Sequence, residues 1–217
     1  MLLLAFNSQA QRYELGGFLG GSNFIGDVGK TQYISPEKLA YGAFFKWNIN
    51  DRFSAKLSYN YTNLFAADSL SSSPGRYYRN FKVGSNIHEF GLGFEFNFFP
   101  YDLHELKTHQ TPYIYVGADY FSFKDRYLTS SNTIGYNTNF TYAMPFAVGY
   151  KVAFVNHFTV GAEVGVRYTF TDNIDGSAME DVPFKFGNPN SNDWYVFTGL
   201  TVSYFFGRKP CYSCYGK

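Results

Sequence analysis

Long apolar runs and charged residues are both scarce in this sequence. No window of 18 consecutive apolar residues occurs, so a transmembrane helix of the usual kind is excluded. Charged residues make up 16% of the 217 positions and the formal net charge is +1. This balance indicates neither a nucleic-acid partner nor binding to an anionic membrane surface through excess charge. Only two cysteines occur, Cys211 and Cys214, both close to the C-terminus.

Aromatic residues, by contrast, are abundant: they reach 22%, with 20 tyrosines and 25 phenylalanines. Such residues favour β-strands and also suit the interfacial belts of membrane proteins. The segment FTVGAEVGVRYTF, residues 158–170, alternates apolar with polar residues almost perfectly. A period of two predicts a strand with one apolar and one polar face.

Seven further segments alternate in the same way, at residues 13–20, 39–48, 53–62, 89–98, 112–120, 146–154 and 194–206. Pro145 cannot donate a hydrogen bond to a neighbouring strand, so we expect it at a rim or a bulge. The sequence does not define the residue at which the sixth strand begins. The connections 21–38, 63–86, 123–141 and 171–193 are long, whereas 48–52 and 155–157 are short and 99–111 departs from the pattern. Long loops opposite short turns are typical of outer-membrane barrels.

The ionisable residues share a face with the glycines. They are four bases and four acids, with Glu14 as a possible fifth acid: Lys46, Lys56, Glu89, Glu95, Asp119, Lys151, Glu163 and Arg167. In a soluble β-sandwich this face would meet water. In an eight-stranded barrel it would line a lumen just wide enough to be filled by side chains, where buried charges pair.

Strand length and aromatic residues at both ends of the apolar stripe favour the barrel over the sandwich. We expect one aromatic belt around Trp47, Phe53, Phe98, Phe154, Phe158 and Phe206, and another around Tyr59, Tyr61, Tyr120, Tyr168, Phe170 and Trp194. The predicted fold is therefore all-β: an eight-stranded antiparallel up-and-down transmembrane β-barrel with a side-chain-filled lumen. It lies in the outer membrane, with long loops extracellular and both termini periplasmic. We interpret the lumen as structural packing rather than as a water-filled pore.

The chain divides into three parts. Residues 1–10 have a short apolar stretch followed by a small-residue pattern, which indicates a signal-peptide remnant; a disordered cytosolic N-terminus is the alternative. Residues 11–206 form the barrel. Residues 207–217 form a periplasmic tail, in which Cys211 and Cys214 could pair with each other or with a partner.

No combination of residues predicts an enzyme or a cofactor. His88 is expected on the lipid side near the outer rim, but Phe90 stands where a nucleophile two residues on would be needed. A metal site at His104 and His109 lacks further ligands, as does a zinc site at the tail cysteines. We therefore predict no catalytic, cofactor-binding or metal-binding residues.

Four segments together resemble the PorG family, the outer-membrane barrel component of the type IX secretion system of Bacteroidetes-type bacteria: GGFLGGSNFIGDVG, EFNFFPY, TPYIYVGADYF and FKFGNPNSNDWYVFTGLTVSYFF. The resemblance runs from about Tyr13 into the tail. It implies a non-enzymatic role in protein export, and in gliding motility in some bacteria. The implied partners are the periplasmic ring proteins of the PorK and PorN type (GldK and GldN in gliding bacteria), besides outer-membrane lipid.

We expect the ring contact on the periplasmic face, at Tyr101, Asp102, Leu103 and Leu106 and at the tail, where Cys211 or Cys214 could form a disulfide with the ring lipoprotein. The alternative is an autonomous small barrel that acts as an adhesin or binding module through its extracellular loops. Trimming residues 63–86 should separate the two, because only an adhesin would lose its function.

Overall fold

The computed structural model describes residues 12–30, 32–103, 108–128, 134–154, 157–172, 174 and 192–206. These residues form eight strands: β1 Arg12–Ile25, β2 Lys38–Asn48, β3 Phe53–Ala67, β4 Lys82–Asn97, β5 His109–Leu128, β6 Ile134–Ala153, β7 Phe158–Thr169 and β8 Trp194–Phe206. Each strand pairs antiparallel with the next, and β1 pairs with β8 to close the barrel. The predicted fold class is confirmed.

Alternation determines which side chains face the lumen. In β7, Thr159, Glu163 and Arg167 are buried, whereas Phe158 and Val160 are exposed on the outer wall. The apolar faces of the other strands point outward in the same way, apart from Ala67 and Val196, which are at outward positions of the alternation and are buried. An outward apolar face is stable only in contact with lipid or another apolar surface.

The barrel has two different ends. The turn end carries the described residues 49–52, 98–103, 108, 154 and 157, together with the start of β1 and the end of β8. The loop end carries the described residues 26–30, 32–37, 68–81, 170–172, 174 and 192–193, together with the end of β5 and the start of β6. A 3₁₀ helix, Asp68–Leu70, and a short helix α1, Pro74–Arg79, lie within residues 68–81. Within the described residues, no helix is long and apolar enough to cross a membrane.

Several strands run farther toward the loop end than predicted. β5 and β6 are 20 residues each and remain paired from Phe121 with Thr141 to Leu128 with Ile134. The prediction of a long loop at residues 123–141 is therefore wrong. This stretch is rich in Thr, Tyr and Phe, which favour strands, but it was not recognised because its outward positions Lys124 and Thr138 are polar.

Pro145 lies inside β6 rather than at a rim, so its predicted position is also wrong. It is paired with Arg167 of β7, and its side chain is buried. On its other side the β5–β6 ladder is interrupted between the pairs Val116–Phe146 and Asp119–Ala143. The register is the same on both sides of this gap, so the strand accommodates the missing N–H by a local loss of pairing.

The lumen is filled by layers of different polarity. An apolar cluster occupies the loop end, with Phe18, Phe24, Val28, Ala40, Leu64, Ala66, Val83, Ile87, Phe121, Phe123, Ala143, Ile174, Tyr195 and Phe197 as its buried members. We refer to this set as the loop-end cluster. Buried charges occupy the region between it and the turn end, where a smaller cluster of Tyr101, Ala153 and Phe205 closes the barrel.

Candidate functional site

Glu95 is the centre of the first ion-pair layer, nearest the turn end. Its Oε2 atom lies 2.7 Å from Nζ of Lys46, and its Oε1 atom accepts a hydrogen bond from Nζ of Lys151. All three side chains are buried. The centroid of the Tyr113 ring lies 5.4 Å from each ammonium nitrogen, which adds cation–π attraction. Without the carboxylate, two like charges would face each other in a water-poor interior.

Glu163 is the centre of the second layer. Its Oε2 atom lies 3.1 Å from Nζ of Lys56 and accepts a 2.8 Å hydrogen bond from the Tyr113 hydroxyl. The Lys56 ammonium also lies 4.9 Å from the centroid of the Tyr115 ring and 5.1 Å from that of Phe44. Parity predicts that Lys56 and Glu163 face the lumen, but it does not predict that they meet, because β3 and β7 are not neighbouring strands.

Arg167 joins two carboxylates in the third layer. Its Nη2 atom lies 3.4 Å from Oε1 of Glu89, and its Nε atom lies 3.8 Å from Oδ2 of Asp119. Asn60 and Tyr195 donate further hydrogen bonds to Glu89, of 2.8 Å and 2.6 Å. Glu89 is thus the more fully paired of the two acids. This layer places two acids around one base, whereas the Glu95 layer places one acid between two bases.

A cavity lies between the second and third layers. Its lining combines charged, polar and aromatic side chains: Phe18, Phe44, Lys56, Ser58, Asn60, Tyr115, Glu163, Arg167 and Phe197. The Tyr115 hydroxyl and Nη1 of Arg167 are buried and have no hydrogen-bond partner among the described residues. Buried water is the usual partner for such groups. The cavity is a break in the packing rather than a continuous passage, because side chains fill the lumen above and below it.

The structure thus places all eight residues predicted for the lumen inside it and brings them together in three layers. Glu14 joins them, fully buried, but it is bound by neutral groups. Asn48 Nδ2 donates to its Oε1 atom over 2.8 Å, and the Ser203 hydroxyl donates to its Oε2 atom over 2.9 Å. Tyr113 and Tyr195 donate hydrogen bonds to carboxylates of the second and third layers, a role that was not predicted from the sequence. Their inward positions in the alternation of β5 and β8 could have indicated it.

Tyr101 closes the lumen at the turn end. Its side chain is only 3% exposed, its hydroxyl lies 2.6 Å from Oγ1 of Thr159, and its ring centroid lies 4.0 Å from Nζ of Lys151. The sequence prediction placed this side chain on the partner-facing surface, whereas the structure places it inside the barrel. The reason is that an aromatic ring can cover a buried ammonium.

The other residues predicted to meet a partner are placed differently. Leu103 packs against the Tyr101 cluster and is partly buried, and Asp102 is half-buried. Leu106, Cys211 and Cys214 lie outside the described residues, as does His104. Within the described part of the chain, no group of three or more His, Cys, Asp or Glu side chains could hold a metal ion.

Asp68 joins two loops at the opposite end. Its carboxylate accepts hydrogen bonds from Nε and Nη2 of Arg79, of 2.6 and 3.0 Å, and from the backbone N–H groups of Gly29 and Phe81. Burial alone would raise its pKa, but the hydrogen bonds from Arg79, Gly29 and Phe81 outweigh burial, so its pKa lies below the ordinary value. Arg76 adds a 3.0 Å bond to the Gly29 carbonyl. These hydrogen bonds between the two loops were not predicted from the sequence.

His88 lies on the outer wall, as the alternation of residues along β4 predicts. Its Nδ1 atom is 2.8 Å from the Tyr59 hydroxyl, and its ring centroid lies 4.8 Å from that of Tyr61. Ser122 is its register partner on β5. No carboxylate occupies an outward-facing strand position among the residues whose side chains the structure describes, and the Tyr59 hydroxyl is the group that bonds to this imidazole.

Solved structures with a similar fold are outer-membrane barrels. Ail, the attachment invasion locus protein of Yersinia pestis, is 10% identical, with a TM-score of 0.50 over 90% of this chain and 99% of Ail. The N-terminal barrel domain of Pseudomonas aeruginosa OprF is 16% identical, with a TM-score of 0.49 over 91% of this chain and all of that domain. The outer membrane enzyme PagL is 11% identical, with a TM-score of 0.41 over 87% and 97% of the two chains.

At these identities the similarity concerns the fold, and it does not decide between an enzyme and a non-enzymatic barrel. No curated protein sequence matches this chain. The closed eight-stranded barrel and its outward apolar wall agree with an outer-membrane protein. Residues 1–215 match the model of a domain of unknown function, DUF6089, and the chain belongs to that family.

Proposed function

We propose that this protein is a non-enzymatic component of the type IX secretion machinery and anchors a periplasmic ring of the PorK and PorN type to the outer membrane. One observation carries the proposal: the lumen is closed by ion pairs, by the loop-end cluster and by Tyr101. A closed lumen offers no path for an exported protein. The barrel can therefore act only through its wall and its two ends, which suits an anchor. The resemblance to PorG-like barrels supports the choice of this machinery.

The turn end has the properties of a preformed contact surface. Arg52 Nη1 donates to the Phe98 carbonyl over 2.9 Å, and the Tyr101 N–H donates to the Asp51 carbonyl over 2.9 Å. These bonds hold the β2–β3 turn against the β4–β5 connection. Large apolar side chains remain exposed on this rim, among them Ile49 at 44% and Phe99 at 56%. Rigid apolar anchors with satisfied neighbouring polar groups are typical of protein interfaces.

Purification from native outer membranes in a mild detergent tests the proposal. We expect the ring proteins to copurify with the wild-type chain and to be lost with Ile49→Asp/Phe99→Asp. The matched control, Tyr77→Asp/Tyr78→Asp, changes two exposed aromatic residues at the loop end and should retain them. Equal recovery of the ring proteins with both double variants, or their absence from the wild-type sample, would contradict the proposal.

The tail provides a more specific version of the contact. If Cys211 or Cys214 is disulfide-bonded to the ring lipoprotein, the two proteins should migrate as one band only on gels run without reductant. Cys211→Ser/Cys214→Ser should then abolish the joint band. A joint band that survives in this variant would rule out the disulfide without affecting the noncovalent anchor.

A binding module that acts through the loop end is the second candidate. Tyr77 and Tyr78 on α1 are 58% and 85% exposed, and the adjoining Arg79 is fixed by Asp68. Exposed tyrosines on a fixed support are common at binding sites. On this alternative, Tyr77→Asp/Tyr78→Asp or trimming of residues 63–86 should abolish function, and Ile49→Asp/Phe99→Asp should leave it intact.

A further inference from the structure

Two outward-facing residues of the seam between β1 and β8, which closes the barrel, are buried. The outward positions of β1 alternate with buried ones and include Gly17, Gly21 and Asn23. Asn23 is nevertheless only 3% exposed, and Val196, its register partner on the outward face of β8, is fully buried. Alternation along the strands does not account for this burial. A segment that lies outside the wall must cover the seam at this level.

Residues 32–36 form this cover, and Asn23 holds them in place. The Nδ2 atom of Asn23 donates hydrogen bonds to the backbone carbonyls of Gln32 and Tyr33, each over 3.1 Å. Its Oδ1 atom accepts a longer bond, of 3.5 Å, from the Ser35 N–H. The side-chain amide thus has its hydrogen bonds within the chain, as a polar group on a lipid-facing wall requires. We call residues 32–36 the seam strap.

The last residue of the seam strap packs directly on the wall. Pro36 lies over Gly21, so closely that a Cβ atom at position 21 would overlap with Cβ of Pro36. The next residue, Glu37, donates its N–H to the Ser22 carbonyl over 3.0 Å. Glycine at position 21 therefore leaves the room that the seam strap occupies. At Gly17, which faces outward on the same strand, the nearest contact of a Cβ atom would be a carbonyl oxygen at 3.5 Å.

The covered part of the seam lies at the depth of the membrane. On its turn-end side, the register partners Leu19 and Leu200 are exposed on the outer wall. On its loop-end side, Trp194 contacts Tyr168 in the aromatic belt nearer the loop end, with ring centroids 4.9 Å apart. Belts of this kind mark the interface between the hydrocarbon core and the lipid headgroups. The seam strap therefore occupies wall that would otherwise face lipid.

The exposed side of the seam strap is apolar and uncharged. Tyr33 and Ile34 are 67% and 61% exposed. Residues 32–36 include no charged residue, and the flanking charges of Lys30 and Glu37 are paired with each other at 3.1 Å. A neutral segment with an exposed tyrosine and an exposed aliphatic side chain suits the boundary between headgroups and acyl chains, where tyrosine is enriched.

We propose that the seam strap is a membrane-contacting element of the barrel. Tyr33 and Ile34 insert into the lipid of the leaflet nearer the loop end, and the segment shields the side-chain amide of Asn23 from the acyl chains. This contact is continuous with the lipid-facing wall at Leu19 and Leu200. The proposal concerns the wall of the barrel and does not depend on the ring-anchor function.

Spin-label accessibility in lipid vesicles tests the proposal. The full-length chain with Cys211→Ser/Cys214→Ser and one new nitroxide-labelled cysteine is folded into dioleoyl phosphatidylcholine vesicles. The measured quantity is the ratio of collisions with oxygen, which concentrates among acyl chains, to collisions with a water-soluble nickel chelate. The ratio at Ile34→Cys should be several-fold higher than at Tyr78→Cys, a residue 85% exposed on α1, and should approach that at Leu200→Cys on the wall.

Gly21→Ala tests whether the seam strap depends on its seat on the seam. The added methyl group overlaps with Pro36, so the strap must shift, and the ratio at Ile34→Cys should fall toward that at Tyr78→Cys. Gly17→Ala is the matched control, because it makes the same change on the same face of β1 and should leave the ratio unchanged. If Gly21→Ala fails to fold by circular dichroism, Asn23→Ala should produce the same fall.

Two results would overturn the proposal. A ratio at Ile34→Cys no higher than that at Tyr78→Cys would mean that the seam strap faces water. A high ratio that both Gly21→Ala and Asn23→Ala leave unchanged would mean that the contacts with the seam do not hold Ile34 in the lipid.

Discussion

The two halves of β4 have opposite polarity patterns. Toward the turn end, Phe90, Leu92 and Phe94 point outward while Glu89 and Glu95 point into the lumen. Toward the loop end, the outward residues are Lys82, Asn86 and His88, whereas Val83 and Ile87 point inward. The backbone is one continuous strand, so the inversion reflects what surrounds it. Where lipid is outside, the polar groups are inside; where water is outside, the barrel has an ordinary apolar core.

The lumen shows the same division, and each half predicts a different response to substitution. The turn-side half depends on charge pairing, because each buried charge needs its partner. The loop-side half depends on apolar contact and should respond to lost volume.

Removal of Glu95 should destabilise the protein by disrupting the charge pairing in the turn-side half of the lumen. Glu95→Ala leaves Lys46 and Lys151 buried without their shared partner, so we expect the free energy of unfolding to fall by about 3–5 kcal/mol. Urea titration of protein folded into lipid vesicles, followed by tryptophan fluorescence, measures the change. A further variant, Glu95→Leu/Lys46→Met/Lys151→Met, should recover most of the loss, since it removes the unpaired charges. A Glu95→Ala variant as stable as wild type would refute this account.

Truncation of a buried apolar side chain should destabilise the loop-side half of the lumen. Ile87 is fully buried in the loop-end cluster, so Ile87→Ala should lower the free energy of unfolding by about 3 kcal/mol, and Ile87→Val by about 1 kcal/mol. The same urea titration provides both values. Equal effects of the two substitutions would mean that this half is not packed as a core.

Asp68 is a charged residue at the apolar end of the barrel, so its contribution should depend on pH. Asp68→Asn removes the anion that Arg79 and two N–H groups bind, and should cost about 2 kcal/mol near neutral pH. The folded pKa is lowered, so the stabilisation is complete above the ordinary value of 3.8 and is lost as the pH falls through the folded value. Urea titrations of wild type and variant over this range should converge at low pH. A difference that stays constant would exclude the ionised carboxylate as its cause.

Tyr101 should have the smallest effect of the four. Tyr101→Phe keeps the ring over Lys151 and removes only the hydroxyl bond to Thr159, so we expect a loss of about 1 kcal/mol. Tyr101→Ala should cost more in the same titration, since it also uncovers the ammonium. If the two variants were equally stable, the ring would not be closing the lumen.

The alternation of apolar and polar residues predicted the strands and the inward direction of the ion-pair residues, because a period of two is visible in any single strand. Strand length and the aromatic residues at both ends of the apolar stripe then favoured a barrel over a sandwich. The alternation could not predict which residues meet across the lumen. Lys56 and Glu163 are 107 positions apart and belong to strands that do not pair. Their contact depends on the stagger of the strands, which the sequence does not display.

The loop-side half was missed for a different reason. Its outward positions, such as Lys82 and Lys124, are polar, so the outward-apolar pattern used to recognise the strands ends before the strands do. The inward residues Val83, Ile87, Phe121 and Phe123 do alternate, in the opposite sense. A search for both senses of alternation would have extended β4 and β5. No periodic pattern indicates the hydrogen bonds of Asp68, because they join residues of two loops.

The closing seam of the barrel has a consequence for how the chain must assemble. Seven seams join strands that are consecutive in sequence, but the eighth pairs Tyr13 with Phe206. Closing that seam brings together the most distant parts of the chain, at the largest loop-closure entropy in the molecule. Until β8 is in place, β1 and β7 both present unpaired edges. A chain shortened by either terminal strand would remain an open sheet prone to pairing with its own copies.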